Sequence, residues 1–119
     1  MESKSPNIRA LKSDDILEFY GKPFPESVRG LAVEFEGESV AIAGVIHTNP
    51  LQAFSSIKDA LRKYPKTIIK TARRLKTILD KYESPIYAYA DEDEKNSVNF
   101  LKHIGFTQIE DGVFKWQVS

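Results

Sequence analysis

An α/β fold, with a mixed sheet carrying helices on both faces, is predicted by three observations. Short segments of alternating apolar residues recur along the chain, at the period of a strand. One long stretch near the middle repeats its apolar residues at helical spacing instead. The last part, residues 84–116, reads as a strand, a short helix and a return strand. Strands interleaved with helices in this order require a mixed sheet with helices against it.

Residues 1–6 read as a loose tail and residues 7–119 as a single domain. Asn7 to Leu11 suits a first strand. Ser13 is placed to cap a short helix running through Tyr20, with Asp14 and Asp15 favourable in its first turn. Gly and Pro interrupt residues 21–27, which form a loop. Leu31 to Phe35 and Val40 to Ile46 make a hairpin joined through Glu36-Gly37-Glu38. Val33 and Phe35 share one face of it, with Ala32 and Glu34 on the other. Asn49-Pro50 marks a turn, and Leu51 to Ile57 is the next strand.

Pro65 fits the first turn of the long helix, where its missing N–H would have had no helical partner. Ile68, Ala72, Leu75, Leu79 and Tyr82 follow as a core-facing stripe, and Ser84-Pro85 is the predicted stop. In Ile86 to Asp91 the side chains alternate, with Ile86, Ala88 and Ala90 on one face and Tyr87, Tyr89 and Asp91 on the other. A helix with Ser97, Phe100, Leu101 and Ile104 on one side then ends at Gly105, a residue suited to a left-handed cap. Thr107 to Ile109, the Glu110-Asp111-Gly112 turn and Val113 to Trp116 complete the chain.

Composition narrows the function. The 119 residues are 41% hydrophobic and include seven Phe, five Tyr and one Trp, enough for one core. Lys and Arg together number 17, as do Asp and Glu, so the net charge of zero gives no global pull toward nucleic acid or membrane. With no Cys there is no disulfide, thiolate nucleophile or thiolate metal site. His47 and His103 stand far apart, and no metal-ligand spacing is present. No signal-peptide core and no run of transmembrane length occurs, so a small cytoplasmic protein is expected.

The strand, helix, Gly105-Phe106 pair and final strand of residues 84–116 resemble the C-terminal part of the GCN5-related N-acetyltransferases, the GNAT family. The order of elements across residues 7–83 is similar to that family as well. The resemblance implies the GNAT-like acyl-CoA N-acyltransferase fold, with acetyl-CoA as cofactor and an amine, on a small molecule or peptide, as acceptor. In that family the strand before the long helix and the start of that helix hold the cofactor. Its glycine-containing signature aims backbone N–H groups at the pyrophosphate. This chain departs there, having no glycine between Leu51 and Leu75. Basic residues, Lys58, Arg62, Lys63, Lys66 and Lys70, occupy the region instead.

Two further departures concern chemistry. Where the family often has Asn eleven residues before the Gly of the Gly-Phe pair, this chain has Glu94. Where it often has a proton-donating Tyr four residues before that Gly, this chain has Leu101, which cannot donate a proton. Ser97 matches a small position on the packed helix. On the resemblance, the cofactor-binding candidates are Lys63, Lys66, Thr67, Ala88 and Ser97. Tyr89, with Tyr87 beside it, is the candidate replacement acid, and Glu34 the candidate for guiding deprotonation of an amine. Each has a simpler reading, packing for the tyrosines and solvation for the glutamate. His47 could act as a base near neutral pH.

From Lys58 to Lys81 there are nine basic residues and two acidic ones, Asp59 and Asp80. That run is either an anion-binding surface or the solvated face of an amphipathic helix, and nucleic acid is the less favoured partner. The missing glycines, the small size and the basic helix also resemble the small acetyltransferase-like proteins of tailed bacteriophages. That likeness implies a non-catalytic role in virion assembly with protein partners. The non-catalytic assembly protein is the expectation and a GNAT-type N-acetyltransferase the alternative; a V-shaped opening between the Leu51 and Ile86 strands is the expected mark of the enzyme.

Overall fold

A computed structural model describes residues 5–90 and 95–116, the first three of the second run by their backbone alone. Seven strands form one sheet: β1 (Asn7–Ala10), β2 (Val28–Phe35), β3 (Glu38–Ile46), β4 (Leu51–Ile57), β5 (Ile86–Tyr89), β6 (Thr107–Glu110) and β7 (Val113–Trp116). Their spatial order is β1-β2-β3-β4-β5-β7-β6. β4 and β5 are parallel, and the other neighbours are antiparallel. The parallel pair needs a crossover, supplied by a 3₁₀ turn (Asp59–Lys63) and the long helix α2 (Pro65–Leu79). Two shorter helices, α1 (Ser13–Tyr20) and α3 (Lys95–Ile104), complete the chain.

The apolar periods decide which helix covers which face. Leu31, Val45, Ile86 and Phe114 on the sheet meet Ala72, Leu75 and Leu79 of α2 and Phe100, Leu101 and Ile104 of α3, all buried. Val33 and Phe35 continue that layer against Tyr64 and Ile68, so they share the face read from their spacing. Ala32, Ile42 and Phe54 point the other way, toward Phe19 of α1 and Phe24 of the following loop. The mixed sheet therefore has helices on both faces, but α1 covers only the β2–β4 part of its side.

Two helix ends differ from the sequence reading. Ser13 is the first helical residue of α1, not its cap. Asp15 does the capping, accepting the Lys12 backbone N–H at 2.8 Å, and it is buried. The long helix ends at Leu79, before Ser84-Pro85. There the chain tightens into i to i+3 bonds, Lys81 N–H to the Ile78 carbonyl at 3.2 Å and Tyr82 N–H to that of Leu79 at 3.1 Å. Tyr82 still reaches the core from this turn. Asp91 and Glu94 lie outside the described residues.

The end of α3 follows the expected motif. Gly105 has φ +125°, and the N–H groups of Gly105 and Phe106 both reach the Leu101 carbonyl, at 3.2 and 3.0 Å. A Cβ on Gly105 would sit 3.1 Å from the Trp116 ring. At the far end of the hairpin Gly30 faces Gly44, where a Cβ on Gly30 would meet the Gly44 Cα at 2.8 Å. Side chains cannot fit at that crossing.

Candidate functional site

The sheet forks between β4 and β5. Their pairing runs Leu51 with Ile86, Gln52 with Tyr87 and Ala53 with Ala88, yet β4 continues to Ile57. Each strand is held by its other neighbour. β4 stays with β3 as far as Ala41 opposite Ile57, and the Lys58 N–H extends the contact to the Val40 carbonyl at 2.9 Å. β5 stays with β7 through Tyr89 opposite Val113, and Ala90 N–H donates to the Gly112 carbonyl at 3.0 Å. The twist between two separately anchored strands then opens a V.

Each face of the sheet has a cavity against the diverging end of β4. On the α2 and α3 side, about 420 Å³ is lined mainly by apolar groups, Ile57, Pro65, Ile68 and Phe100, with Arg62 and His103 at its edge. On the α1 side, about 570 Å³ is lined by Tyr20, Phe54, Ser56, Tyr89 and Asp111 among others. Both lie in the size range of small-molecule sites.

Tyr89 stands at the fork and is 57% exposed, with its side chain on the α1-side cavity. Ala88 is buried, its methyl in the core and its backbone in the last β4–β5 pair. Tyr87 is half-buried with the Lys115 ammonium 5.7 Å above its ring. Lys63 and Lys66 are exposed at the end of the 3₁₀ turn and in the first turn of α2. Thr67 is half-buried next to them. The Ser97 side chain lies outside the described residues.

Glu34 is placed elsewhere. Its carboxylate lies 3.5 Å from the Arg9 guanidinium, and β3 and β4 separate its strand from β5. Three strand spacings amount to about 15 Å, so the structure does not bring Glu34 to Tyr89. His47 is at the opposite end of β3 from the fork. Its Nδ1 is 2.7 Å from Ser27 Oγ and its Nε2 is 2.7 Å from the Tyr82 hydroxyl, so both ring nitrogens are engaged. Burial raises the Tyr82 phenol above its ordinary value.

The start of α2 decides what could hold a pyrophosphate. The N–H groups of Leu61 and Tyr64 bond back to Lys58 and Leu61, at 3.0 and 2.9 Å. Those of Thr67 and Ile68 both reach the Tyr64 carbonyl, at 3.0 and 3.2 Å. Pro65 has no N–H. Four backbone donors at this end, those of Leu61, Tyr64, Thr67 and Ile68, are thus turned inward. The cationic groups at this end are side chains, Arg62, Lys63 and Lys66.

At the start of α1, sequence reading missed an ionic cluster in which Asp15 and Ser39 are buried and Arg9 half-buried. Arg9 holds Asp15 through two bonds of 2.8 Å, and Ser39 Oγ donates to the same carboxylate at 2.5 Å. The Arg9 bonds come first in holding the Asp15 carboxyl well below the usual carboxylate range, against the opposing effect of burial. The same pairing raises Arg9. Tyr20, Ser56 and Asp111 were missed too. Tyr20 and Ser56 are linked by a 2.7 Å hydroxyl contact across 36 residues, which no local spacing signals.

No protein-family model matches the chain, and no curated protein sequence does. Solved structures do match. The ribosomal-protein-S18-alanine N-acetyltransferase from Escherichia coli aligns with TM-score 0.66 and 12% identity, over 97% of this chain and 95% of that one. The coenzyme A-bound putative N-acetyl transferase YhhK from E. coli gives 0.59 and 16%, over 95% and 99%. The GNAT domain of S. lividans PAT gives 0.55 and 13%, over 94% of each. Such identities speak to architecture alone. The chain has the GNAT acyltransferase fold, as its seven-stranded mixed sheet and forked parallel pair already indicated.

Proposed function

We propose that this chain is an N-acyltransferase that moves an acetyl group from acetyl-CoA to an amine. The observation that carries the reading is the fork, with a cavity against the diverging end of β4 on each face of the sheet. A thioester arm entering along α2 and α3 and an amine entering from the α1 side would meet between Ala53 and Tyr89. The apolar lining of Ile57, Pro65, Ile68 and Phe100 fits an uncharged pantetheine arm. A neighbouring structure of this fold holds coenzyme A.

The phosphates would be held by side chains. Arg62, Lys63 and Lys66 are the groups available, because the N–H groups of Leu61, Tyr64, Thr67 and Ile68 are bonded within the turn. Thr67, half-buried in the first turn of α2, completes this end. In the transfer, the neutral amine attacks the carbonyl carbon and the C–S bond breaks. The nitrogen loses a proton to solvent, the departing thiolate takes one from the Tyr89 hydroxyl, and Tyr89, exposed at the fork, regains its proton from solvent. The Ala88 and Tyr89 backbone lies beside the carbonyl in this arrangement. Glu34, committed to Arg9, stays outside it.

A second reading rests on the inward-turned donors at α2. A protein that lost pyrophosphate binding would keep the scaffold and act without catalysis, through protein partners, in a structural or virion-assembly role. Calorimetric titration with acetyl-CoA, and with CoA in parallel, separates the two. Saturable binding and transfer to an amine, lost in Tyr89→Phe, supports the enzyme with Tyr89 as acid. Transfer at an unchanged rate in Tyr89→Phe removes Tyr89 from that role. No heat and no thermal stabilisation at millimolar ligand sinks the enzyme reading and leaves assembly.

A further inference from the structure

The α1-side cavity carries a chemistry of its own, and it bears on the acceptor. One wall is aromatic. Tyr20 and Phe24 stand with ring centroids 5.2 Å apart, and Phe24 meets Phe54 edge-on at 5.4 Å. The Tyr20 ring is held in place by its hydroxyl, 2.7 Å from Ser56 Oγ. Tyr89, on β5, supplies an exposed ring to the same space. Tilted and edge-on arrangements of this kind favour a flat ring as their next member.

The charge is as selective as the shape. Among the described lining residues Asp111 is the one that carries a carboxylate, and none is a Lys or Arg. Asp111 sits in the β6–β7 turn, two residues before Val113, the strand partner of Tyr89. The carboxylate thus stands on the Tyr89 side, and the aromatic wall on α1 and β4 stands across from it. A cation is favoured both by that carboxylate and by the ring faces.

We infer that this cavity takes an arylalkylamine, with its ring on the Tyr20-Phe24-Phe54 wall and its ammonium toward Asp111. The inference deepens the acyltransferase reading and rests on it for the fate of the amine, but binding can be measured without transfer. Asp111 draws in the protonated form, and a fraction of neutral amine at the fork is what attacks. An acceptor bearing a carboxylate meets Asp111 with like charge and is rejected. Asp111 is a recruiting group and does not take part in bond making.

The test is ligand-observed NMR titration of the whole chain, with and without coenzyme A present, using phenethylamine, hexylamine and phenylacetate. Phenethylamine should bind saturably, hexylamine several-fold more weakly, and phenylacetate not at all. Asp111→Asn should weaken phenethylamine on the order of ten-fold and Asp111→Glu should restore most of it. The turn residue is exposed, so neither change is expected to disturb folding. No saturable phenethylamine binding, equal binding of phenylacetate, or an indifferent Asp111→Asn would each overturn the inference. Phenethylamine binding that persists in a protein indifferent to acetyl-CoA would uphold the site while removing the transfer reaction.

Discussion

The two helix starts of this molecule treat charge in opposite ways. At α1, Arg9, Asp15 and Ser39 are drawn together from residues up to 30 apart, and the carboxylate is buried with its oxygens engaged. At α2, the N–H groups of Leu61, Tyr64, Thr67 and Ile68 donate to carbonyls of the same turn, and the cations Arg62, Lys63 and Lys66 face solvent. Charge at the first start is committed to the fold. Charge at the second is available to a ligand. A buried, fully partnered ion pair fixes geometry but is costly to break, whereas exposed cations cost the fold little and can change partners.

The comparison is most exposed to attack at Arg9. Arg9→Met should leave Asp15 as an uncompensated buried carboxylate and cost about 3 kcal/mol, a fall in Tm on the order of 10 °C. A chemical denaturation curve within error of the parent would mean that the cluster is not holding α1. Ser39→Ala removes one partner of the same carboxylate and should cost about 1 kcal/mol by the same measurement.

Acid provides a third probe. Asp15 has a folded-state pKa lowered from its ordinary value, chiefly by Arg9. A depressed carboxylate contributes stability that is complete above its unfolded value and is lost as pH falls toward its folded one. Stability should therefore decline from about pH 4 downward, and the Asp15→Asn variant should show a shallower decline. Equal acid slopes in the two proteins would remove Asp15 as the cause.

The smallest effect on folding is expected at the other start. Lys63→Glu combined with Lys66→Glu should change stability by no more than about 0.5 kcal/mol. Under the acyltransferase reading the same pair should weaken acetyl-CoA on the order of ten-fold or more in calorimetry. A pair that unfolds the protein would mean that α2's cations are committed after all, and the contrast between the two starts would fail.

What the sequence made legible was local. The alternation in residues 86–89, the stripe from Ile68 to Leu79, and the Gly105 cap each follow from spacing within one element. The stop of α2 was read too late because Tyr82 keeps the helical period while its backbone has tightened into another turn. Tyr89 was legible as a strand residue beside a cleft. The fork was not directly legible, since it depends on β3 and β7 holding the two strands apart. Glu34 was placed by strand alternation, which says which face a side chain takes but not what guanidinium waits there. The Tyr20–Ser56 contact and the Arg9–Asp15–Ser39 cluster join distant segments, so only the folded chain reveals them.

The cap at Gly105 has a practical consequence. Trp116 is the chain's one tryptophan, and its ring lies against Phe106, with centroids 5.7 Å apart, directly under that cap. The helix that ends there is the one whose Phe100 and His103 line the cavity assigned to the thioester arm. The protein thus carries its own optical gauge. Any shift of α3 alters the surroundings of a single emitter, so the colour and intensity of its native fluorescence follow that wall with no label attached.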